Sequence, residues 1–290
     1  MADALIPVQT GPRGRLRLPR LTWFKVTPSA VIGMTGLTFI LGLAVLGPFL
    51  WPIDPLAISR DSFMPPSLAH PMGTDDLGRD ILARAIQGAR ISLVIGMMGA
   101  CVAALTGTLV GAVAGYAGGM VDELLMRMTE VFQVVPRFLL AIVVMALYGA
   151  SQTSIVLVIG FLAWPGTARV VRAQFMILRG EEFVLAARMS GASRSRVVLR
   201  HILPNVAPYL IVSVFLQMGA AILVESFLSF IGLGDPSSPS WGLLLQQYQL
   251  YLQSAWWMTT FPGLLLAITI FSLNLLGDSF STARHSGTRR

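Results

Sequence analysis

Ionisable side chains inside long apolar runs are the first candidates for chemistry in this sequence. Arg137 follows Pro136 and lies seven residues after Glu130, on roughly the same helical face. Glu225 lies in another apolar run further along the chain. Charged groups at membrane depth often line a solute path, so Arg137 and Glu225 are candidates for a translocation path. Other roles stay open, because Arg137 can extend to the membrane surface and Glu225 can pair with another subunit.

Sequence motifs for catalysis and metal binding are absent. There is no Gly-x-x-x-x-Gly-Lys-Ser/Thr loop for phosphates, no His-Glu-x-x-His zinc motif and no Gly-x-Ser-x-Gly nucleophile motif. The three histidines, His70, His201 and His285, fall on different membrane sides or in a tail, which argues against a zinc cluster. We therefore expect no cofactor, no metal and no catalytic activity, and in particular no hydrolysis of ATP by this chain.

The composition indicates a membrane protein that crosses the bilayer several times. Of the 290 residues, 54% are hydrophobic and only 12% are charged, whereas soluble domains carry about 25% charged residues. Six apolar runs are long enough to cross a hydrocarbon core of about 30 Å. The six runs are 29–50, 91–116, 130–149, 154–171, 206–231 and 260–280. The predicted fold class is therefore an all-α membrane protein with six transmembrane helices.

The distribution of basic residues predicts the orientation of these spans. The net charge of +7 comes largely from arginines before the first span, between the fourth and fifth spans, and after the last. With six spans these regions share one side, so we expect both termini in the cytoplasm and see no reason to infer nucleic-acid binding. The predicted parts are a basic tail (1–28), a first span (29–50), an external segment (51–90), a five-helix core (91–280) with a cytoplasmic loop (173–205), and a cytoplasmic tail (281–290).

Two stretches on the external side are patterned. Thr74 is suited to cap a helix whose positive end would face Asp75, which predicts a helix along the membrane surface before the second span. Two acid–base pairs at i,i+4 spacing support this helix, Asp75–Arg79 and Asp80–Arg84. Further along, Ser240 is placed to cap a short helix that starts near Trp241, a residue type common at membrane surfaces.

The loop between the fourth and fifth spans has the pattern of two short helices joined by a sharp turn. Gly191 permits the conformation that ends the first helix, Ser193 can cap the second, and Pro204 is expected to end it at the fifth span. Three small residues of this loop would leave room for the backbone of a partner protein. They are Ala186, Ala187 and Gly191. An amphipathic helix that rests on lipid headgroups is the alternative interpretation.

Two segments carry a family resemblance. The loop sequence EEFVLAARMSG at 181–191, followed by HILPN at 201–205, resembles the EAA loop of ABC-importer permeases of the dipeptide and oligopeptide subfamily. The sequence HPMGTDDLGRDILARAIQGARISL at 70–93 resembles the segment before the core domain in C-type subunits of peptide and nickel permeases. The resemblance implies the transmembrane domain of a type I ABC importer in a bacterial inner membrane.

The resemblance also implies sites. The loop would couple to a cytoplasmic ATPase through Glu181, Glu182, Phe183, Ala186, Ala187, Gly191, Arg194, Leu203 and Pro204. Leu185 stands where the motif has glutamate, and Glu181 or Glu182 is the candidate substitute one turn earlier. An external vestibule beneath a substrate-binding protein would include Asp75, Arg79, Asp80 and Trp241.

The partners implied by the resemblance are a homologous permease subunit in a heterodimer, two ATP-binding subunits and an extracytoplasmic substrate-binding protein, besides membrane lipid. The implied substrate is a peptide, and nickel or another small solute is the alternative. A self-contained secondary transporter is a rival from another class. It would show inverted repeats and broken helices around an ion site at the membrane midplane, and the sequence indicates neither.

Overall fold

The structure is a computed structural model that describes residues 27–134 and 136–285. In these ranges the chain forms helices and loops, with one isolated bridge between Thr74 and Asp80. The helices are α1 (Pro28–Leu50), α2 (Ile81–Ala117), α3 (Gly119–Val134), α4 (Arg137–Tyr148), α5 (Gln152–Leu178), α6 (Glu182–Met189), α7 (Arg194–Val197), α8 (Leu203–Leu228), α9 (Trp241–Tyr248) and α10 (Trp257–His285). Most of the predicted basic tail and the last residues of the chain lie outside the described residues.

The membrane-spanning architecture is confirmed by the lengths and composition of the helices. Within the described ranges, 5 helices are long and apolar enough to cross a membrane, and α3 with α4 supplies a sixth span if the pair is counted as one. The predicted third span over 130–149 is not one straight helix, because α3 and α4 are bent by 81° relative to each other. Pro136 precedes α4, and proline cannot continue a helix because it lacks an N–H and clashes with the preceding turn. Glu130 and Arg137 therefore lie on different helices.

α2 is the central helix and packs closely on α5. Three of its glycines, Gly107, Gly111 and Gly115, are spaced four residues apart and face α5. A Cβ at these three positions would lie 2.6, 2.4 and 2.6 Å from the nearest atoms of α5. Glycine at this spacing lets two backbones approach within a membrane, so these positions fix the contact between α2 and α5.

The start of α2 differs from the sequence-based expectation. The helix begins at Ile81, and the carboxylate of Asp80 accepts a hydrogen bond of 2.8 Å from an amide in its first turn. The preceding residues form a loop, in which Gly73 and Gly78 have φ values of +77° and +72° that an α-helix excludes. The predicted surface helix capped by Thr74 is therefore wrong, and the hydroxyl of Thr74 bonds to the 61–64 segment instead.

Pro204 also has a different role from the one expected. α7 continues through a π-helical turn, Val198–Ile202, into α8, and Pro204 lies in the first turn of α8. The first turn tolerates proline because the N–H groups there lack a partner within the helix. The prediction that Pro204 ends a helix is wrong, and Arg194–Leu233 forms one apolar helical stretch of 40 residues.

Candidate functional site

Two regions at opposite ends of α2 carry most of the predicted site residues. We call residues 179–205 the elbow and residues 51–80 together with 233–257 the cap. The elbow packs near Tyr116 at the C-terminal end of α2, whereas the cap surrounds the start of α2 at Ile81.

One face of the elbow is anchored on the core helices. Val184 of α6 and Val197 of α7 are completely buried, in a cluster that includes Phe175 of α5. The guanidinium carbon of Arg188 lies 5.2 Å from the ring centroid of Tyr116, over its face. Burial of apolar side chains together with a cation–π contact holds α6 in a fixed position.

The turn after α6 depends on glycine, as predicted. The N–H of Gly191 donates to the carbonyl of Arg188 at 3.0 Å, and the N–H of Ala192 donates to the carbonyl of Ala187 at 3.1 Å. This pair of bonds is the Schellman motif, which requires a left-handed residue, and Gly191 has a φ of +81°. Among the described residues, no atom beyond Gly191 and its two chain neighbours lies within 4 Å of the position that a Cβ would take there. Conformation, and not crowding, therefore selects glycine, and Ser193 then caps α7 as expected.

The open side of the elbow carries four large apolar side chains among charged ones. The exposed fractions are 90% for Met189, 61% for Leu199, 45% for Leu185 and 43% for Phe183. Leu185 adds an apolar side chain where the motif would have a carboxylate. The predicted coupling residues divide by exposure, with Glu181, Glu182, Phe183, Ala186, Gly191, Arg194 and Pro204 exposed and Ala187 and Leu203 half-buried. Their contact with an ATPase stays a prediction.

The cap contains a buried ionic network centred on Asp75. The side chains of Asp75 and Arg84 are 0% and 2% exposed, and Nη1 of Arg84 donates to Oδ2 of Asp75 at 2.8 Å. Nε of Arg79 donates to the same oxygen at 2.7 Å. The hydroxyl of Tyr248 donates to it at 3.0 Å and accepts from Arg84 at 2.5 Å. One carboxylate therefore joins the loop before α2, α2 itself and α9.

The protonation states follow from this arrangement. Burial raises the pKa of Asp75, but the backbone N–H and the charge of Arg79, together with the charge of Arg84, outweigh burial and hold the pKa below its ordinary value. Burial raises the pKa of Tyr248 far above its ordinary value. Asp75 is therefore an ionised acceptor and Tyr248 a neutral donor, which is the combination that the hydrogen bonds require.

Asp80 has three partners, two of which lie in the cap. Besides capping α2, its carboxylate accepts from Nε1 of Trp51 at 3.1 Å and lies 2.8 Å from Nδ1 of His70. The predicted Asp80–Arg84 pair is wrong. Asp80 is the N-cap of α2, so its carboxylate faces the amides of the first turn, and Arg84 bonds to Asp75 instead. The predicted Asp75–Arg79 pair is present, although it spans a loop instead of a helix.

Trp241 is a buried packing residue and not part of an exposed aromatic belt. Its side chain is 0% exposed, and its Nε1 donates to the carbonyl of Ala85 at 3.0 Å. The ring fills the space beside Gly88, where a Cβ would lie 2.9 Å from the indole. Ser240 caps α9 as expected, since its hydroxyl accepts from the amide of Leu243 at 3.3 Å. The structure thus brings the four predicted vestibule residues into one cap, and their role as a vestibule stays a prediction.

Sequence reasoning missed other members of the network. Arg84 also donates to Oε1 of Gln247 at 2.7 Å, and its partner Tyr248 is 164 positions away. A charged residue surrounded by apolar ones, as Arg84 is in Ala-Arg-Ala-Ile, signals a buried ion pair. No feature of the sequence specifies which distant residue completes the pair.

The two candidates at membrane depth are not joined. Glu225 is 1% exposed and accepts a hydrogen bond from the hydroxyl of Ser229 at 2.7 Å, so the chain itself encloses the carboxylate. Arg137 is exposed at the first residue of α4. Their assignment to a translocation path stays a prediction. Within the described ranges, no group of three or more His, Cys, Asp or Glu side chains is arranged to hold a metal ion.

Comparison with known families identifies the chain. Residues 107–290 match the family model described as the inner membrane component of binding-protein-dependent transport systems. The chain belongs to this permease family. Residues 20–66 also match the N-terminal transmembrane domain of oligopeptide transport permease C. This permease is therefore a multi-pass protein of the inner membrane.

Several curated relatives of the permease are similar over most of their length. DppC, a dipeptide transport system permease protein of Bacillus subtilis (strain 168), is 39% identical over 92% of this chain and 84% of the relative. OppC, an oligopeptide transport system permease protein of Haemophilus influenzae, is 36% identical over 98% of this chain and 92% of the relative. DppC of Pseudomonas aeruginosa, named for di- and tripeptide transport, is 34% identical over 90% of this chain and 88% of the relative.

Solved structures confirm the predicted importer fold of the permease. A structure of the MetNI methionine ABC transporter in inward-facing conformations superposes with a TM-score of 0.57 at 16% identity, over 70% of this chain and 95% of that chain. A second crystal form of the same transporter gives a TM-score of 0.54 at 18% identity, over 69% of this chain and 94% of that chain. At this identity the likeness establishes the fold alone.

Proposed function

We propose that this permease forms half of the translocation path of an ATP-driven peptide importer and couples that path to ATP-binding subunits. The names of the relatives support a peptide substrate. The expected assembly contains a second, homologous permease, two ATP-binding subunits and an extracytoplasmic substrate-binding protein that selects the solute. The chain itself is a non-catalytic subunit in this proposal.

The elbow is the observation that carries the proposal. Large apolar side chains rarely cluster on an exposed surface unless a partner covers them. Here they belong to a segment whose opposite face is fixed by Val184 and Val197, both 0% exposed. A partner that grips the open face therefore moves α5 and α8 with it. Closure of two ATP-binding subunits would pull on two such elbows and open the path alternately to the two sides of the membrane.

The arginines of the elbow support its placement in the cytoplasm, since positively charged loops remain on that side. A basic amphipathic segment on lipid headgroups is the competing interpretation. Lipid binding alone does not require the rigid turn at Gly191 or the open space beside it.

Two charged substitutions, each of a highly exposed apolar residue, test the docking role. Met189→Glu changes a residue that is 90% exposed in the elbow, and Leu68→Glu changes one that is 102% exposed in the cap, at the other end of α2. We expect Met189→Glu to reduce co-purification of the ATP-binding subunits at least tenfold, because it places a carboxylate in an apolar interface. Leu68→Glu is expected to retain them. Equal retention in both variants would contradict the proposal.

Uptake measurements test the substrate. A deletion strain that carries the complete transporter should accumulate labelled di- and oligopeptides, and the Met189→Glu variant should not. Uptake of labelled nickel without uptake of peptides would replace the peptide assignment with the nickel alternative, while leaving the docking role of the elbow intact.

A further inference from the structure

α3 buries little of its own surface. Of its 16 residues, all within the described ranges, only Thr129 is buried. The helix follows α2 after Gly118 and Gly119, whose φ values are +70° and +55°. Two adjacent glycines give this connection more backbone freedom than other residues would. Contacts with other helices must therefore fix the orientation of α3.

The contact nearest the start of α3 is an ion pair with α5. Nε and Nη2 of Arg172 donate to the two carboxylate oxygens of Asp122, the second at 2.7 Å. The side chain of Asp122 is 13% exposed and that of Arg172 is 32% exposed. A guanidinium and a carboxylate that share two parallel bonds are fixed in orientation as well as in distance. Further along, the ring of Phe132 in α3 lies 5.4 Å from that of Trp164 in α5.

Arg172 lies at the end of α5 that the elbow contacts. Phe175, one turn further along α5, is completely buried in one cluster with Val184 and Val197 of the elbow. The backbone of Arg172 also touches α2, since a Cβ at Gly115 would lie 2.7 Å from its carbonyl oxygen. A displacement of the elbow therefore displaces Arg172, and the ion pair passes this displacement to α3.

We propose that the Asp122–Arg172 pair transmits movement of the elbow to α3, so that the half of the third span nearest the elbow turns with α5 in each transport cycle. This link rests on the proposed function, since it requires ATP-binding subunits that move the elbow. Asp122 and Arg172 are positioning residues, because they act on the path through the helices they join. A third span that did not follow α5 would keep the path closed while ATP is hydrolysed.

Neutral substitutions remove the pair from either side. Arg172→Gln and Asp122→Asn each remove one charge, and the double variant removes both. Arg127→Gln is the matched control, because Arg127 pairs with Glu130 of the same helix at 3.2 Å. These two side chains are 72% and 60% exposed, and their pair joins no second helix.

The experiment uses the assembled transporter in vesicles, with ATP enclosed and with the substrate-binding protein and a mixture of labelled di- and tripeptides added outside. The measured quantity is the number of peptides imported for each ATP hydrolysed. We expect each single variant to lower this ratio roughly tenfold at an unchanged yield of assembled transporter, because hydrolysis continues while α3 no longer follows α5. The double variant should lower the ratio roughly tenfold as well, because the two residues act as one unit. Arg127→Gln should match the wild type.

A loss of ATP hydrolysis and uptake in equal proportion would overturn the proposal, because a pair that only stabilises the fold changes the amount of active transporter and not the ratio. Unchanged ratios in both single variants would also overturn it, as would a ratio about a hundredfold lower in the double variant, which is the result for two independent residues. These outcomes leave the proposed function intact. A wild type that hydrolyses ATP but imports no peptide would overturn the proposed function together with this link.

Discussion

The cap and the elbow differ in the kind of side chain that decides their structure and in whether the chain itself supplies the contacts of those side chains. In the cap, Asp75 is surrounded by Arg79, Arg84 and Tyr248, so the charged groups that are removed from water are paired within the chain. In the elbow, Met189 and Leu199 are 90% and 61% exposed, and large apolar side chains remain uncovered. The cap pairs its buried charges within the single chain, whereas the proposed function of the elbow requires a partner on its exposed apolar side chains.

Under the proposed function, the two ends of α2 have different mechanical roles. A network of buried charges tolerates little displacement, because each lost contact leaves an ion without a partner. The cap therefore fixes α9 and the start of α2 as one unit. The elbow is held on one face only, so a force applied to its open face is transmitted into α5 and α8. Substitutions at the two ends should consequently affect different measurements.

The largest expected effect is that of Asp75→Asn in the cap. The substitution leaves the buried guanidinium of Arg84 without its counter-charge, which costs about 3–5 kcal/mol in the free energy of unfolding. Asp76→Asn is the matched control, since Asp76 is 31% exposed and 3.8 Å from Arg79, and it should change stability by less than about 0.5 kcal/mol. Denaturant-induced unfolding of the purified assembly measures both, and equal effects would contradict a structural role for the buried pair.

Acid should also remove the contribution that the ionised carboxylate of Asp75 makes to the free energy of unfolding. The pKa of Asp75 is lowered in the folded protein, so its stabilising effect is fully present above the pKa of the unfolded chain, about 3.9. It is lost as the pH falls through the lower, folded-state pKa. The difference in unfolding free energy between the wild type and Asp75→Asn should therefore be constant from pH 7 to about pH 5 and shrink below about pH 4. A difference that shrinks near neutral pH would show that another group is responsible.

A smaller effect is expected for Gly191→Ala in the elbow. A left-handed conformation costs an L-residue roughly 1–2 kcal/mol, so the turn after α6 should open more often. Hydrogen exchange at the amides of Gly191 and Ala192 measures the opening. Gly180→Ala is the control, because Gly180 lies in the same elbow and does not have a positive φ. Equal protection in the two variants would show that the turn does not depend on glycine.

The smallest effect on stability is expected for Leu185→Ser. Leu185 is 45% exposed, so the free energy of unfolding should change by no more than about 0.5 kcal/mol. Binding of the ATP-binding subunits should nevertheless weaken, because the open face loses an apolar side chain. A pull-down of the assembled transporter measures this binding. If Leu185→Ser lowers stability and binding in parallel, the face is a packing surface and not a docking surface.

The sequence predicted the features that depend on local properties. Apolar length and low charge identified the spans, the conformational freedom of glycine identified the turn at Gly191, and side-chain capping identified Ser193 and Ser240. It failed where two local rules competed. The length of the apolar run does not show how sharply the third span bends at Pro136. The prediction that Pro204 ends a helix neglects that the first turn of a helix accommodates proline.

The sequence by itself determined that this is a multi-pass helical protein with a patterned loop, because span length and helix-end chemistry depend on neighbouring residues. Only the tertiary structure decided which charges meet. Arg84 lies at the expected spacing from Asp80, yet it pairs with Asp75 and Tyr248, because the start of α2 turns Asp80 inward and the packing of α9 brings a phenol from a distant part of the chain. Partners in a buried network are selected by three-dimensional packing, and spacing along the chain does not encode that choice.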